Sequence, residues 1–302
     1  MIPAFPKNSR VAFIGDSITA INVTLPYVIH TYKTKFKNSG IRFFNCGVAG
    51  GTAGFALESY EFDIARYKPT HAVVSFGIND SEREELRRER DSVRYEILKA
   101  AFERFKENIT ALVDRLISDG VKVILCTPVP YDEYSVATEP ALPGGYALML
   151  GYAEFVRGLA EMRDVYLHDQ HKIVSELMQS DVIMSDDRVH PTDHGYFVLA
   201  RELLRAQGID IGSEYPVPSY FGVWNSYVAR LRRVLAGECM LIHDINMPLE
   251  DKLAMTEKIV REENWGRPVF EGFYRAYVQD KPFEEELYRL IDKHYESDIF
   301  EG

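Results

Sequence analysis

Short apolar runs recur along the first two-thirds of the chain, each closing on small or polar residues. Val11 to Ile14 ends on Gly15-Asp16-Ser17, Ile41 to Asn45 on a glycine-rich segment, and Ala72 to Phe76 on Gly77-Ile78-Asn79-Asp80; Val121 to Cys126 and Val165 to His168 complete the series. Runs of this length lack the polar alternation of a half-exposed strand, and the segments between them are long enough for helices. The pattern predicts an α/β protein in three α/β/α layers, with a central parallel sheet of about five strands. In such sheets ligands bind at the carboxyl ends of the strands. Ser17, Gly50 and Asn79 all fall just past predicted strand ends.

Two stretches depart from the alternation. Thr127 to Tyr146 follows a strand and carries Pro128, Pro130, Pro140, Pro143, Gly144 and Gly145 with Tyr131, Tyr134 and Tyr146 between them. A long loop on the ligand side of a compact domain is expected to wall an acyl or alcohol pocket, the plain alternative being a solvated connection. Ser81 to Arg94 is a dense run of Glu and Arg and reads as an exposed helix or loop. After Gly208 the turn-rich Gly212-Ser213-Glu214-Tyr215-Pro216-Val217-Pro218 breaks the pattern, and helices are predicted over Phe221 to Ala236, Leu249 to Glu263 and Pro282 to Glu296. The expected organisation is a catalytic domain over 1–207 and a helical extension over 208–302. The extension could pack on the first domain, form a homo-oligomer face, or cover the pocket.

Composition narrows the function class. A hydrophobic content of 46% in 302 residues supports a sizeable core. The net charge of −11 argues against nucleic acid as partner, because phosphates require clustered Lys and Arg. Cys46, Cys126 and Cys239 are few and scattered, which favours a reducing compartment over a disulfide framework. With no signal-like start and no apolar run of membrane-span length, the expected location is cytoplasmic, with no membrane span. His30, His71, His168, His171, His243 and His294 share no metal-ligand spacing and are expected to be structural; no metal and no cofactor are expected.

Four segments carry candidate chemistry: Gly15-Asp16-Ser17, Asn45-Cys46-Gly47-Val48-Ala49-Gly50-Gly51, Gly77-Ile78-Asn79-Asp80 and Asp187-Arg188-Val189-His190-Pro191. Singly each has a bland explanation as a turn, a flexible connection or a helix cap. In this order, with three of them after strand-like runs, they match what acyl transfer needs. A serine hydroxyl needs an imidazole to take its proton, and the imidazole needs a carboxylate to hold its tautomer and offset its charge. His190 and Asp187, three residues apart on one loop, supply both. Pro191 keeps His190 out of a helix, and Thr192 and Asp193 can cap one starting near His194. Backbone N–H groups of Ser17 and of the glycine segment, with the Asn79 amide, can stabilise an oxyanion, each such donor contributing about 3 kcal/mol of barrier. Asp16 is expected to bond its own turn, Asp186 to face solvent and His194 to pack or cap.

The four segments resemble the blocks of the SGNH hydrolases, also called the GDSL esterase/lipase family, over roughly residues 8–207. The resemblance implies Ser17 as nucleophile, Asp187 and His190 as its partners, and Ser17, Gly50 and Asn79 as the oxyanion hole. Gly47, Gly50 and Gly51 compete for the second-block position, and counting from Asn45 favours Gly50. Ile18 stands where the name-giving motif has leucine. The implied fold is flavodoxin-like. The implied activity is serine-dependent hydrolysis of carboxylic esters through an acyl-enzyme, with a small-molecule ester as partner: short-chain acyl or O-acetyl esters, including acetylated carbohydrates. An acyltransferase or thioesterase would use the same site, and a flavodoxin-like binding module would use the glycine segment for a phosphate but leave Asn79, Asp187 and His190 without a task.

Overall fold

The computed structural model describes residues 1–212, apart from Asn22 and Asn38. Five strands, β1 (Arg10–Gly15), β2 (Arg42–Gly47), β3 (His71–Ser75), β4 (Lys122–Cys126) and β5 (Tyr166–His168), form one parallel sheet in the order β2-β1-β3-β4-β5. Each falls within a residue or so of its predicted run. Eight α-helices accompany them among the described residues: α1 (Ser17–Ala20), α2 (Thr24–Lys35), α3 (Ala53–Glu58), α4 (Tyr60–Asp63), α5 (Ser92–Ser118), α6 (Gly145–Met162), α7 (Gln170–Leu177) and α8 (Asp193–Ala206). The predicted helices over 221–236, 249–263 and 282–296, and with them nearly all of the expected 208–302 extension, lie outside the described residues.

Successive strand residues point to opposite faces, so an apolar run is what a sheet covered on both sides requires. Ala12 and Ile14 join a core with Ala53, Phe105, Ile109, Leu112, Val156 and Leu159 from α3, α5 and α6. Val11 and Phe13 join a second core with Leu25, Val28 and Tyr32 from α2 and Ala200, Leu203 and Leu204 from α8. A smaller cluster of Val129, Val174, Ile183, Met184, Tyr196 and Leu199 lies against the partly buried Ile18 and Ile21 of the first β–α turn.

Helix starts are set by caps whose side-chain oxygens accept otherwise orphan amides. Asp91 accepts from the Arg94 N–H at the head of α5, so the charge run from Ser81 ends in a helix cap rather than continuing as one exposed element. Thr192 accepts from the Gly195 N–H at the head of α8. The register sets Gly15 opposite Gly47 on one side and Ser75 on the other. Because β1 has β2 on one flank and β3 on the other, the connections leaving these strands diverge at their carboxyl ends. A crevice opens at such a reversal. Among the described residues no helix is long and apolar enough to cross a membrane.

Candidate active site

Ser17 is the first residue of α1, directly after β1. The Asp16 carboxylate accepts the Ile18 N–H at 2.9 Å, and this turns the chain sharply from strand into helix. The turn leaves Ser17 half-buried at the crevice. Asp16 is itself buried, and burial pushes its carboxyl up to about 6. It is committed to the turn, as its adjacency to Ser17 suggests.

The sequence-distant loop 183–192 reaches the same point. Met184 and Pro191 form an antiparallel bridge, Ser185 N–H donates to His190 O at 2.8 Å, and Thr192 N–H donates to Ile183 O at 2.8 Å. Within this closed loop the two oxygens of Asp187 divide the work. Oδ1 accepts from Ser185 Oγ at 2.8 Å, Val189 N–H at 2.9 Å and His190 N–H at 2.8 Å. Oδ2 lies 2.6 Å from His190 Nδ1, and His190 Nε2 lies 2.7 Å from Ser17 Oγ. Burial alone would raise the Asp187 carboxyl, but the donors from His190, Val189 and Ser185 outweigh it and hold it down to about 2. An ionised carboxylate only accepts, so Nδ1 carries the proton and Nε2 of the neutral ring is left to accept from the Ser17 hydroxyl. The predicted trio is therefore one continuous hydrogen-bonded line across 173 residues of sequence.

The glycine segment follows β2. Val48 N–H donates to Gly15 O at 2.9 Å and ties it to the end of β1. Of the three competing glycines, Gly47 donates to Asn45 Oδ1 at 2.9 Å and Gly51 to Val48 O at 2.9 Å. Gly50 is exposed and takes φ 73°, the left-handed turn position that favours glycine. Asn79, after β3, donates through Nδ2 to Gly51 O at 3.0 Å. One N–H of that amide is spent on the glycine segment and the other is left over.

Several residues to which sequence reasoning gave no catalytic role build the setting. Gly47 packs so closely on the first turn that a Cβ there would lie 2.5 Å from Ala20 N and 2.8 Å from the Thr19 carbonyl carbon. Asn45 donates to Thr19 O at 3.0 Å. Asp80 accepts the Ala53 N–H at 2.9 Å through one oxygen, while its buried Oδ2 has no partner; burial, reinforced by the charge of Asp16, pushes it up to about 7. The loop after β4 is ordered rather than merely solvated: Leu142 N–H donates to Tyr131 Oη at 3.0 Å, and the Glu133 carboxylate accepts the Gly144 and Tyr146 amides at the start of α6. Asp186 is exposed, and His194 pairs at 2.8 Å with Asp181 on the surface. His168 and His171 are buried, and burial lowers both to about 4, so they sit as neutral core residues. Among the described residues no group of three or more His, Cys, Asp or Glu is placed to hold a metal ion.

A sequence model of the GDSL-like lipase/acylhydrolase family matches residues 13–197. An acetylxylan esterase from Geobacillus stearothermophilus is 25% identical over 221 residues, spanning 68% of this chain and 96% of that protein. Among solved structures, a gut microbial diltiazem-metabolizing enzyme superposes with a TM-score of 0.62 at 26% identity, over 68% of this chain and 48% of that one. The chain thus spans about half the length of that enzyme. The crystal structure of the acetylxylan esterase gives a TM-score of 0.55 at 23% identity over 68% and 96%, a likeness of fold. Catalytic mutants of that esterase replace a serine, an aspartate and a histidine.

Proposed function

The chain belongs to the GDSL-like lipase/acylhydrolase family, whose members hydrolyse carboxylic esters, and on that premise we propose that it works through an acyl-enzyme formed on Ser17. The observation that carries this is the line from Ser17 Oγ through His190 to Asp187, with contacts of 2.7 Å and 2.6 Å. Ser17 Oγ attacks the ester carbonyl as Nε2 takes its proton, and Asp187 offsets the imidazolium that forms. The oxyanion meets three donors. One is the Ser17 N–H, which at the first position of α1 has no intrahelical acceptor. The others are the Gly50 N–H and the second N–H of Asn79. Gly50 is favoured over its neighbours because the Gly47 and Gly51 amides are already engaged. His190 returns its proton to the leaving alcohol, then activates the water that releases the acid and frees Ser17.

The substrates we propose are short-chain acyl esters, O-acetyl groups on carbohydrates in particular. Support for this comes from the acetylxylan esterase relative, which aligns over nearly its whole length. The test is hydrolysis of p-nitrophenyl acetate, butyrate and octanoate, and release of acetate from an acetylated xylo-oligosaccharide, by the wild type and by Ser17→Ala. Serine-dependent turnover falling with acyl length is expected. Equal rates in the two proteins would remove Ser17 as nucleophile, and octanoate as the best substrate would overturn the short-chain assignment. An added sugar acceptor that yields acylated sugar instead of free acid would reassign the site to acyl transfer.

A further inference from the structure

Arg188 stands between Asp187 and His190, and its surroundings differ from those of any other arginine in the described residues. It is 5% exposed, and its backbone takes φ 66°. Nε donates to Glu139 O at 2.6 Å, and Nη1 donates to Asp132 O at 2.9 Å and Ser135 O at 3.1 Å. Its own carbonyl accepts the Asp132 N–H at 3.0 Å. One side chain therefore binds three carbonyls of the loop that follows β4, and Asp132 returns a bond to the same residue. The segment 132–135 is closed on itself as well, since the Asp132 carboxylate accepts the Ser135 amide at 3.1 Å and is also bonded by the Ser135 hydroxyl.

Two costs accompany this arrangement. A buried guanidinium gives up hydration, which only well-directed acceptors offset. A non-glycine residue with positive φ carries roughly 1–3 kcal/mol of backbone strain. A glycine at this position would avoid both. What the arginine adds is a connection: the hydrogen bonds at Met184, Ser185, Pro191 and Thr192 close the 183–192 loop on itself, whereas Arg188 ties it to a different loop at the end of a different strand.

We infer that Arg188 is a positioning residue. It welds the 132–139 loop to the Asp187–His190 loop, so that the alignment of the imidazole and the place of that wall are set together. The inference rests on the proposed roles of Ser17, His190 and Asp187, and it adds a residue that touches none of the reacting atoms. The 132–139 loop stands on the carboxyl-end side of the sheet and bears the exposed Tyr134 and Val136. A substrate pressing on it is felt at Asp187 through Arg188, chiefly through its guanidinium.

Arg188→Gly is the incisive variant, because glycine accepts φ 66° without strain and any loss is then due to the missing side chain. On p-nitrophenyl acetate we expect kcat to fall by about 10- to 100-fold with KM changed much less, the size that follows from misplacing a catalytic group by about 1 Å. Added guanidinium chloride, well below denaturing concentration, recovers kcat in this variant and leaves the wild type unaffected; methylammonium does not. Arg188→Lys keeps a buried cation but not the fork, and is expected to lose kcat as well, so it carries the test if the glycine variant does not fold. A kcat within about twofold of wild type in either folded variant, or a loss that guanidinium leaves untouched in Arg188→Gly with a wild-type near-ultraviolet circular dichroism spectrum, overturns the inference. Ser17→Ala is assayed beside them. Turnover there equal to the wild type defeats the proposed function, whereas a Ser17→Ala that loses activity beside a fully active Arg188→Gly defeats only the role of Arg188.

Discussion

Replacing Asp187 by Asn changes one atom and, on this geometry, reverses the imidazole. The oxygen at the Oδ1 position is held by three donors, Ser185 Oγ, Val189 N–H and His190 N–H, and must remain an oxygen. Turning the amide over would set its NH₂ against two backbone N–H groups and lose two hydrogen bonds, about 1 kcal/mol each before repulsion, a preference of roughly 30-fold or more. The NH₂ is thus aimed at His190 Nδ1, where the carboxylate accepted at 2.6 Å. Nδ1 becomes an acceptor, the proton moves to Nε2, and the ring faces Ser17 Oγ as a donor that cannot take its proton. Loss of the carboxylate also removes the partner of the imidazolium. Together these predict a fall in kcat of about 10⁴-fold, or ~5 kcal/mol of barrier, the size that such a tautomer reversal produces in a serine–histidine–aspartate site. The loop itself should survive, since its three bonds to Oδ1 are kept, and the urea midpoint should move little. Steady-state kinetics on p-nitrophenyl acetate, with denaturation curves alongside, make the measurement. A loss smaller than about tenfold in a folded variant would refute the tautomer argument.

Three further outcomes follow from the same contacts. Asn79→Ala removes the proposed oxyanion donor and should lower kcat by about 10²- to 10³-fold with little effect on KM; an effect confined to KM would assign Asn79 to ground-state binding. Gly47→Ala puts a Cβ against backbone atoms of the turn that carries Ser17, and a cost of roughly 1–3 kcal/mol in a urea melt, with a fall in kcat, is expected; a variant unchanged in both would show that the turn yields freely. Asp80→Asn tests the buried carboxyl held up at about 7. Folded protein keeps that proton while unfolded chain loses it near pH 4, so wild-type stability falls as pH rises from about 4 to 7 and the amide variant is spared. Urea denaturation should show the variant gaining on wild type by ~2–3 kcal/mol between about pH 5 and pH 8; a gap independent of pH would mean that Asp80 does not titrate in that window.

The sheet was legible because β1 to β4 are buried on both faces over most of their length, which favours an apolar run such as Val11 to Ile14 or Ala72 to Phe76. Ser17, His190 and Asp187, which the fold brings into one hydrogen-bonded line, could be singled out as candidates because acyl transfer admits few residue types and the order of the four segments is distinctive. What could not be read was direction. Nothing in Asp187-Arg188-Val189-His190 tells that the arginine turns away from Ser17 and into the loop after β4, because its acceptors are main-chain carbonyls that any residues would provide. Which of the Gly47, Gly50 and Gly51 amides are already bonded is likewise a property of the folded turn. Asp80 reads as part of a turn after Asn79. Only its burial, with one oxygen unpartnered, marks it as a titrating group.

The first residues of the chain and the end of α8 are joined. Ile2 N–H donates to Ala206 O, Gln207 Nε2 to Pro3 O, and the Tyr32 hydroxyl bridges Gln207 Oε1 and the Phe5 amide. Since α8 starts just past His190 and its 14 residues rise about 21 Å, that seam lies on the pole of the domain remote from Ser17. A tether fixed at either side of the seam would therefore hold the hydrolase by its base, with the mouth of the crevice turned outward. Anchored to a bead, a scaffold or an insoluble polysaccharide, it would present its chemistry to whatever lies in front of it.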